Sequence, residues 1–260
     1  MLLVLDIGNT SIVAGVYDKD KLILNWRLSS DRNKTSDEYG LLIGSLFSYS
    51  HLTMQAIKAV VVSTVVPPLT VPIARMCKRY FGLNPLVVNP GVKTGIAIKY
   101  ENPREVGADR IVNAVAAYSK YKEKAPLIVI DMGTATTFCV INENGEYIGG
   151  AIAPGITISS EALFQRAAKL PRIELRKTKT VICRNTVRSM QSGIIYGYVG
   201  LIDGLVHRMK AEIGKSAYVI ATGGLSGLLA TETDSIDCLE PFLTLEGLRI
   251  IYNLNLPGAE

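Results

Sequence analysis

Cysteine and histidine are scarce in this chain, and the shortage removes several classes of function. The four cysteines, Cys77, Cys139, Cys183 and Cys238, lie far apart and form no Cys-x-x-Cys pair. Only His51 and His207 could complete a zinc site, so a structural zinc is not expected, and reduced thiols in a cytoplasmic protein are the plain reading. No apolar run approaches the length of a membrane span. The N-terminus carries an acid at position 6 and no basic segment before its apolar residues, so neither a membrane partner nor a signal peptide is expected. Long basic runs are missing too. The formal charge of +5 is spread along the chain and fits an anionic small substrate as well as nucleic acid. No helix-turn-helix with a basic face stands out, which argues against nucleic acid. What is present is 48% hydrophobic and 20% charged residues over 260 positions, enough for one large core or two ordinary ones in a globular protein.

Two cores are favoured by an internal repeat. An apolar strand running into an Asp-x-Gly turn followed by threonine occurs twice, as Leu2-Leu3-Val4-Leu5-Asp6-Ile7-Gly8-Asn9-Thr10 and as Leu127-Ile128-Val129-Ile130-Asp131-Met132-Gly133-Thr134-Ala135-Thr136-Thr137. The two aspartates lie 125 positions apart, so a duplicated fold is expected, with one domain over 1–117 and a second over 118–260. Each copy delivers a carboxylate to the end of a buried strand. The glycine turn behind it exposes N–H groups and hydroxyls, an arrangement suited to phosphate oxygens and their counter-cation. Two copies facing each other would make a nucleotide cleft.

The remaining pattern agrees with a duplication. Strands are expected over 12–17 and 22–28, then a helix over 36–47 capped by Thr35 or Ser36, then a strand over 59–63. Pro67 and Pro68 are expected to stop that strand ahead of a helix over 70–80. The second half offers strands over 127–130, 136–141 and 147–153, with Asn144-Gly145 as a hairpin turn. Helices over 158–168 and 187–213, a strand over 217–221 and a closing helix over 242–253 follow, while a helix over 105–121 lies near the boundary. Strands and helices in this order mean an α/β protein with two mixed β-sheet domains and flanking helices.

Such units resemble the actin, Hsp70 and sugar kinase superfamily, which implies the duplicated ribonuclease H-like (actin-like ATPase) fold. Within it, Tyr100-Glu101-Asn102-Pro103-Arg104-Glu105-Val106-Gly107-Ala108-Asp109-Arg110-Ile111-Val112-Asn113-Ala114 is similar to the signature of type III pantothenate kinases. So are both aspartate turns, Gly149-Gly150-Ala151-Ile152-Ala153-Pro154-Gly155 and Asn185-Thr186-Val187-Arg188-Ser189-Met190-Gln191-Ser192-Gly193, in family order across the chain. Cys139 stands where the family pattern has an acid, and Cys183 where it has a glycine. The resemblance implies transfer of the γ-phosphate of ATP to the 4′-hydroxyl of pantothenate, the first step towards coenzyme A. It further implies a homodimer that needs a monovalent cation (K⁺ or NH₄⁺) besides Mg²⁺ with ATP. Two competing readings are another phosphotransferase or phosphatase of the superfamily, such as an exopolyphosphatase or sugar kinase, and a non-catalytic regulator on the same fold. The Glu-Val-Gly-Ala-Asp-Arg run opposes the first, and intact Asp6, Asp109 and Asp131 oppose the second.

Each site residue has a plainer role beside its chemical one. Asp6 ends a buried strand, where an unpaired carboxylate is costly, and either a metal–phosphate group or a tight turn explains it. Gly8, Asn9, Thr10 and Ser11 can donate to ATP phosphates, and the resemblance extends that contact over Ile7, Ile12 and Val13. By the same resemblance Thr134 contacts ATP and Asp131 holds the monovalent cation, the alternative for Asp131 being again a turn acid. Asp109 is the expected general base, because the acceptor hydroxyl must lose a proton as it attacks phosphorus. The alternative is an exposed first-turn aspartate favoured by the helix dipole. Gly107 lets a ligand approach the backbone, and by the resemblance Ala108, in the apolar stripe of its helix, belongs to the substrate-binding residues. Arg110 could pair with a carboxylate or phosphate of a ligand, or with Asp109 itself. Tyr100 is a substrate wall or half-buried packing. Thr186 is expected to cap the helix over 187–213, and by resemblance to touch pantothenate. Gly223-Gly224 is either a nucleoside contact or a tight turn.

Overall fold

The structure, a computed structural model, describes residues 1–256. In chain order its elements are β1 (Leu2–Ile7), β2 (Ser11–Asp18), β3 (Lys21–Ser29), α1 (Ser36–Tyr49), β4 (Ala59–Thr64), α2 (Pro67–Met76), β5 (Leu86–Val87), β6 (Ala97–Ile98) and α3 (Ala108–Tyr121). They continue with β7 (Leu127–Met132), β8 (Ala135–Ile141), β9 (Glu146–Pro154), α4 (Ile156–Arg166), α5 (Thr186–Ile213), β10 (Tyr218–Thr222), α6 (Ser226–Leu229), β11 (Cys238–Leu239) and α7 (Leu243–Leu254). Two compact units result: Met1–Ala116 with the chain from Leu243 onward, and Ala117–Phe242.

In the first unit the strands are ordered β3-β2-β1-β4-β5, with β1, β2 and β3 antiparallel and β4 and β5 parallel to β1. Alternation along β1 splits its apolar residues between two cores. Leu3, Leu5 and Ile7 join Val60 and Val62 of β4 under α1 and α2, where Phe47 meets Trp26 and Phe81. Leu2 and Val4 face the other way, with Val61, and pack under Val112 and Val115 of α3 and Leu245, Leu248 and Ile251 of α7. The last helix thus belongs to the first unit, which corrects the expected second domain over 118–260; its positions 257–260 lie outside the described residues. An amphipathic helix records that it has a partner face but not which sheet supplies it. Here Tyr17 donates its hydroxyl to Glu246, and Glu246 pairs with Arg249.

The second unit repeats the order as β9-β8-β7-β10-β11, with the same antiparallel and parallel pairings. Ile128, Ile130 and Met132 of β7 lie with Val219 and Ala221 of β10 under Ile195, Ile202 and Val206 of α5. Two boundaries differ from expectation for identifiable reasons. Pro67 and Pro68 occupy the first positions of α2 instead of preceding it, because a helix start needs no N–H there and favours the fixed φ of proline. The helix expected over 105–121 begins at Ala108, since Pro103–Glu105 forms a separate short turn to which the Asn102 side chain accepts from the Arg104 N–H.

Candidate functional site

The two aspartate turns sit at equivalent places in the two sheets. β1 is buried except at Asp6, and β7 is buried except at Asp131. Asp6 pairs across with Val13 and lies beside Ser63 of β4; Asp131 pairs across with Thr137 and lies beside Thr222 of β10. The first turn closes with the Gly8 N–H donating to the Ser11 carbonyl at 3.0 Å, and the Ser30 hydroxyl donates to the Gly8 carbonyl at 2.6 Å. Asn9 and Thr10 are left exposed and Ser11 half-buried. Ile7 and Ile12 put their side chains wholly into the core and Val13 packs against the opposite cluster, so these three have chiefly backbone to offer a ligand.

Two arginines that no local motif singles out join this turn. Arg27 donates to the Ser11 hydroxyl and Arg32 to the Asn9 side-chain oxygen, both at 3.1 Å. Arg27 was legible in principle from the β2–β3 hairpin register, which sets it opposite Val13. Arg32 lies beyond the strand and has no such signal. A glycine turn with two guanidiniums at its side chains is suited to an anion.

The residues fit a hard cation accompanying that anion. Among the described residues no three His, Cys, Asp or Glu side chains gather as a closed metal cage. An ion here would instead be held by one carboxylate with hydroxyl, backbone, phosphate and water oxygens, the donor set that Mg²⁺ accepts. Ser63, beside Asp6, supports this: its hydroxyl is fully buried with no hydrogen-bond partner among the described residues, which costs about 1–3 kcal/mol if it stays so.

The second turn is built differently. The Gly133 N–H donates to the Ala135 carbonyl and the Gly155 N–H to the Thr134 carbonyl, both at 3.1 Å, and Thr134 is exposed. Gly223 follows β10 at φ +95°, and a Cβ there would stand 2.6 Å from the Met132 nitrogen and 2.7 Å from Asp131 Oδ1. Only glycine allows the main chain to close in on that carboxylate.

Asp109 lies in the first turn of α3, half-buried, with Oδ1 accepting the Arg110 N–H at 2.8 Å. Burial pushes its pKa above the usual carboxylate range, while the Arg110 N–H and charge pull the other way. The expected glycine role changes here. A Cβ at Gly107 would come within 2.5 Å of Asp109 Oδ1, so this glycine first of all makes room for the carboxylate. Arg110 is 6% exposed and its guanidinium lies 5.7 Å from the centre of the half-buried Tyr100 ring. Asp109, Arg110 and Tyr100 thus form one cluster in the first unit, and Ala108 packs beside them under the sheet.

Thr186 does not cap α5. Asn185 does, its side chain accepting the Arg188 N–H at 2.9 Å, and Thr186 is the first helical residue. Asparagine outcompetes threonine at this position because its side-chain oxygen reaches the N–H groups with less restriction at Cβ. Thr186 instead lines an open groove of about 700 Å³ between α4 and the start of α5, together with the apolar Leu163, Met190 and Ile194 and the polar Arg184 and Ser189. Cys183 also lines this groove, and its thiol donates to the Thr180 carbonyl at 3.4 Å. Cys139, by contrast, is core, 1% exposed with the Tyr147 hydroxyl donating to it at 3.5 Å.

Comparison with known proteins bears on the family and the fold. Residues 2–208 match the family model described as type III pantothenate kinase. Curated proteins of Geobacter sulfurreducens and of an Exiguobacterium species, each named type III pantothenate kinase, are 58% identical to this chain over 98% of it and 99% of their own length. Among solved structures, a Campylobacter jejuni protein assigned to the Baf family of transcriptional activators superimposes with a TM-score of 0.59 at 19% identity, covering 98% of this chain and 100% of that one. Component A of the Acidaminococcus fermentans (R)-2-hydroxyglutaryl-CoA dehydratase superimposes with a TM-score of 0.51 at 12% identity, over 96% of both chains. At these identities the two structures speak for the fold alone.

Proposed function

Because the chain belongs to the type III pantothenate kinase family, we infer from its geometry which of its residues carry that family's reaction. The protein is an ATP-dependent phosphotransferase that phosphorylates pantothenate in coenzyme A biosynthesis. Phosphoryl transfer runs through a loose, anionic transition state, so the protein mainly positions the reactants and neutralises charge. Magnesium carried with ATP supplies part of that neutralisation on the phosphate oxygens.

The first turn holds the ATP phosphates. Asn9, Thr10 and Ser11 offer N–H and hydroxyl donors, Gly8 lets the phosphates come close, and Ile7, Ile12 and Val13 contribute backbone. Asp6 faces the magnesium. In the second unit Thr134 reaches ATP, and Asp131, walled by the backbone of Gly223, holds a monovalent cation (K⁺ or NH₄⁺). A large, weakly hydrated ion suits one carboxylate, with main-chain carbonyls and waters completing its shell. Tyr100, Gly107, Ala108 and Arg110 bind pantothenate, with Arg110 facing its carboxylate. Thr186, released from capping, lines a groove of a volume usual for small-molecule sites. Asp109 takes the proton of the attacking hydroxyl at its carboxylate. The observation that carries this role is its burial at a helix start, which favours a carboxylate ready to accept a proton.

A coupled assay of ADP release with pantothenate, with and without potassium, tests the reading on the wild type and on Asp109→Asn. We expect turnover that needs both additions, and a kcat about 10²–10⁴-fold lower in the variant. The pH dependence follows from the direction of the shift. A base must be ionised, so kcat/KM falls as pH drops through a pKa above the usual carboxylate value. Ionising Asp109 also costs the folded state stability as pH rises through that pKa, so Asp109→Asn should melt no lower than wild type at neutral pH. Absence of pantothenate-dependent turnover in the wild type ends the reading. Full activity in the variant removes Asp109 as the base.

The protein is further proposed to act as a cytoplasmic homodimer. No helix among the described residues is long and apolar enough to cross a membrane. Gly193, Gly197, Gly200 and Gly204 recur along α5, and a Cβ at any of them meets nothing within 4 Å. Each costs roughly 1 kcal/mol against alanine in a helix; Gly193 lines the groove beside Thr186, and no contact among the described residues makes use of the small size of Gly197, Gly200 or Gly204. A second copy lying against this ridge accounts for them. Gly197→Leu should then lower the mass seen by light scattering; a dimer of unchanged mass and activity removes this contact.

A further inference from the structure

Ser63 is the residue of the first unit that the sequence hides best and the geometry exposes most clearly. It stands near the end of a run of buried apolar residues in β4, where a serine reads as filler. Its register gives it a different meaning. β4 runs parallel to β1 with Val61 beside Val4 and Ser63 beside Asp6. Side chains alternate along a strand, so Ser63 and Asp6 continue the face on which Val61 and Val4 point towards α3 and α7. The Ser63 side chain is 0% exposed, and its hydroxyl has no hydrogen-bond partner among the described residues. Its neighbour Thr64 shows what a satisfied hydroxyl looks like at this strand end, accepting the Val66 N–H at 3.1 Å.

A buried hydroxyl is kept in a core only where something answers it. Beside a carboxylate that ends its strand at a phosphate turn, what answers it is a group that arrives with the ligand. We propose that Ser63 is a positioning residue for the magnesium that travels with the nucleotide: its hydroxyl accepts a hydrogen bond from a water in the ion's hydration shell, next to Asp6. Magnesium sheds its waters reluctantly and is commonly bound through one carboxylate, phosphates and several retained waters. Those waters need acceptors on the protein, and a neutral hydroxyl supplies one without adding a second negative charge. The proposal rests on the reading of the first turn as the ATP site and adds a named acceptor to it.

The test uses ADP as probe, with magnesium and in EDTA, in the absence of pantothenate, so that it does not depend on the acceptor's identity. Calorimetry on Ser63→Ala should show affinity for magnesium–ADP about three- to tenfold weaker than wild type, with the affinity for ADP in EDTA unchanged. The ligand-free variant should melt at or above the wild-type temperature, since the substitution removes an unanswered hydroxyl from the core. Ser63→Thr, which keeps the hydroxyl and matches the residue at the equivalent place in the second sheet (Thr222), should restore the magnesium-dependent affinity. Three results would each overturn the proposal: unchanged magnesium–ADP affinity in Ser63→Ala, a lowered melting temperature without ligand, or an effect confined to the KM for pantothenate. Wild-type protein that binds magnesium–ADP but does not phosphorylate pantothenate would fail the broader reading and leave the role of Ser63 standing.

Discussion

The two units use one strand order and one register, yet they finish their aspartate strands in opposite ways. In the first, the chain passes from Gly8 through Asn9 and Thr10 to Ser11, and its side chains meet Arg27 and Arg32. The strand beside Asp6 ends in Ser63 and Thr64 and enters α2 through a hydroxyl-bonded turn. In the second, a shorter turn runs from Gly133 to Ala135, and the neighbouring strand ends in Thr222 and is followed by Gly223, whose main chain presses on Asp131. One site is bordered by donors and positive charge, the other by backbone. Duplication therefore preserved the place of a carboxylate and changed what surrounds it. A donor-rich turn favours a polyanion with a hydrated divalent ion, whereas a backbone-walled carboxylate favours a single larger cation.

The largest effect that can break this comparison comes from neutralising the two aspartates separately. Asp6→Asn should lower kcat by about 10²–10³-fold, the scale of losing one preorganised electrostatic contact, and added potassium should not restore it. Asp131→Asn keeps an oxygen ligand in place. It should raise the potassium concentration needed for half-maximal rate by about tenfold or more, while kcat at saturating potassium stays within a few-fold of wild type. If the two variants lose activity equally and neither responds to potassium, the units are functionally equivalent and the distinction fails. If Asp131→Asn keeps the wild-type potassium requirement, the cation does not belong to Asp131.

Much of this contrast could be read before any coordinates, and the parts that could not be share a physical cause. Strands β1 and β7 announce themselves through unbroken apolar runs ending in aspartate, because burial on both faces forces that pattern. The start of α1 was equally legible as Thr35 or Ser36, and of the two it is Thr35 that caps, in a full capping box with Glu38. Asn185 and Thr186 are both good caps in adjacent positions, and only geometry shows which one spends its side chain on the helix. The attachment of α7 to the first sheet depends on a close approach at Gly247, where a Cβ would lie 2.1 Å from the Val112 carbonyl, a contact between residues 135 positions apart. Ser63 was invisible for a simpler reason. A single serine in a strand of valines carries no periodic signal, and its meaning lies entirely in the residue beside it on another strand.

A smaller effect, on stability alone, sharpens the comparison at the two glycines that border the carboxylates. At Gly223 an added Cβ collides with the main chain of Met132 and with Asp131 Oδ1, and the φ of +95° is one that L side chains rarely adopt. The Met132 obstacle cannot rotate away, because it is backbone in the central strand. Gly223→Ala should therefore cost about 2–3 kcal/mol in denaturant unfolding. At Gly8 the nearest atom to a new Cβ is the Ser11 carbonyl oxygen at 3.2 Å, in a turn that is partly exposed. A shift of a few tenths of an ångström relieves that contact, so Gly8→Ala should cost less than about 1 kcal/mol. Equal losses at the two positions would mean that the first turn is as tightly enclosed as the second. The ordering expected here, large at Gly223 and small at Gly8, corresponds to one carboxylate held in a backbone wall and another left beside a pliable, donor-rich loop.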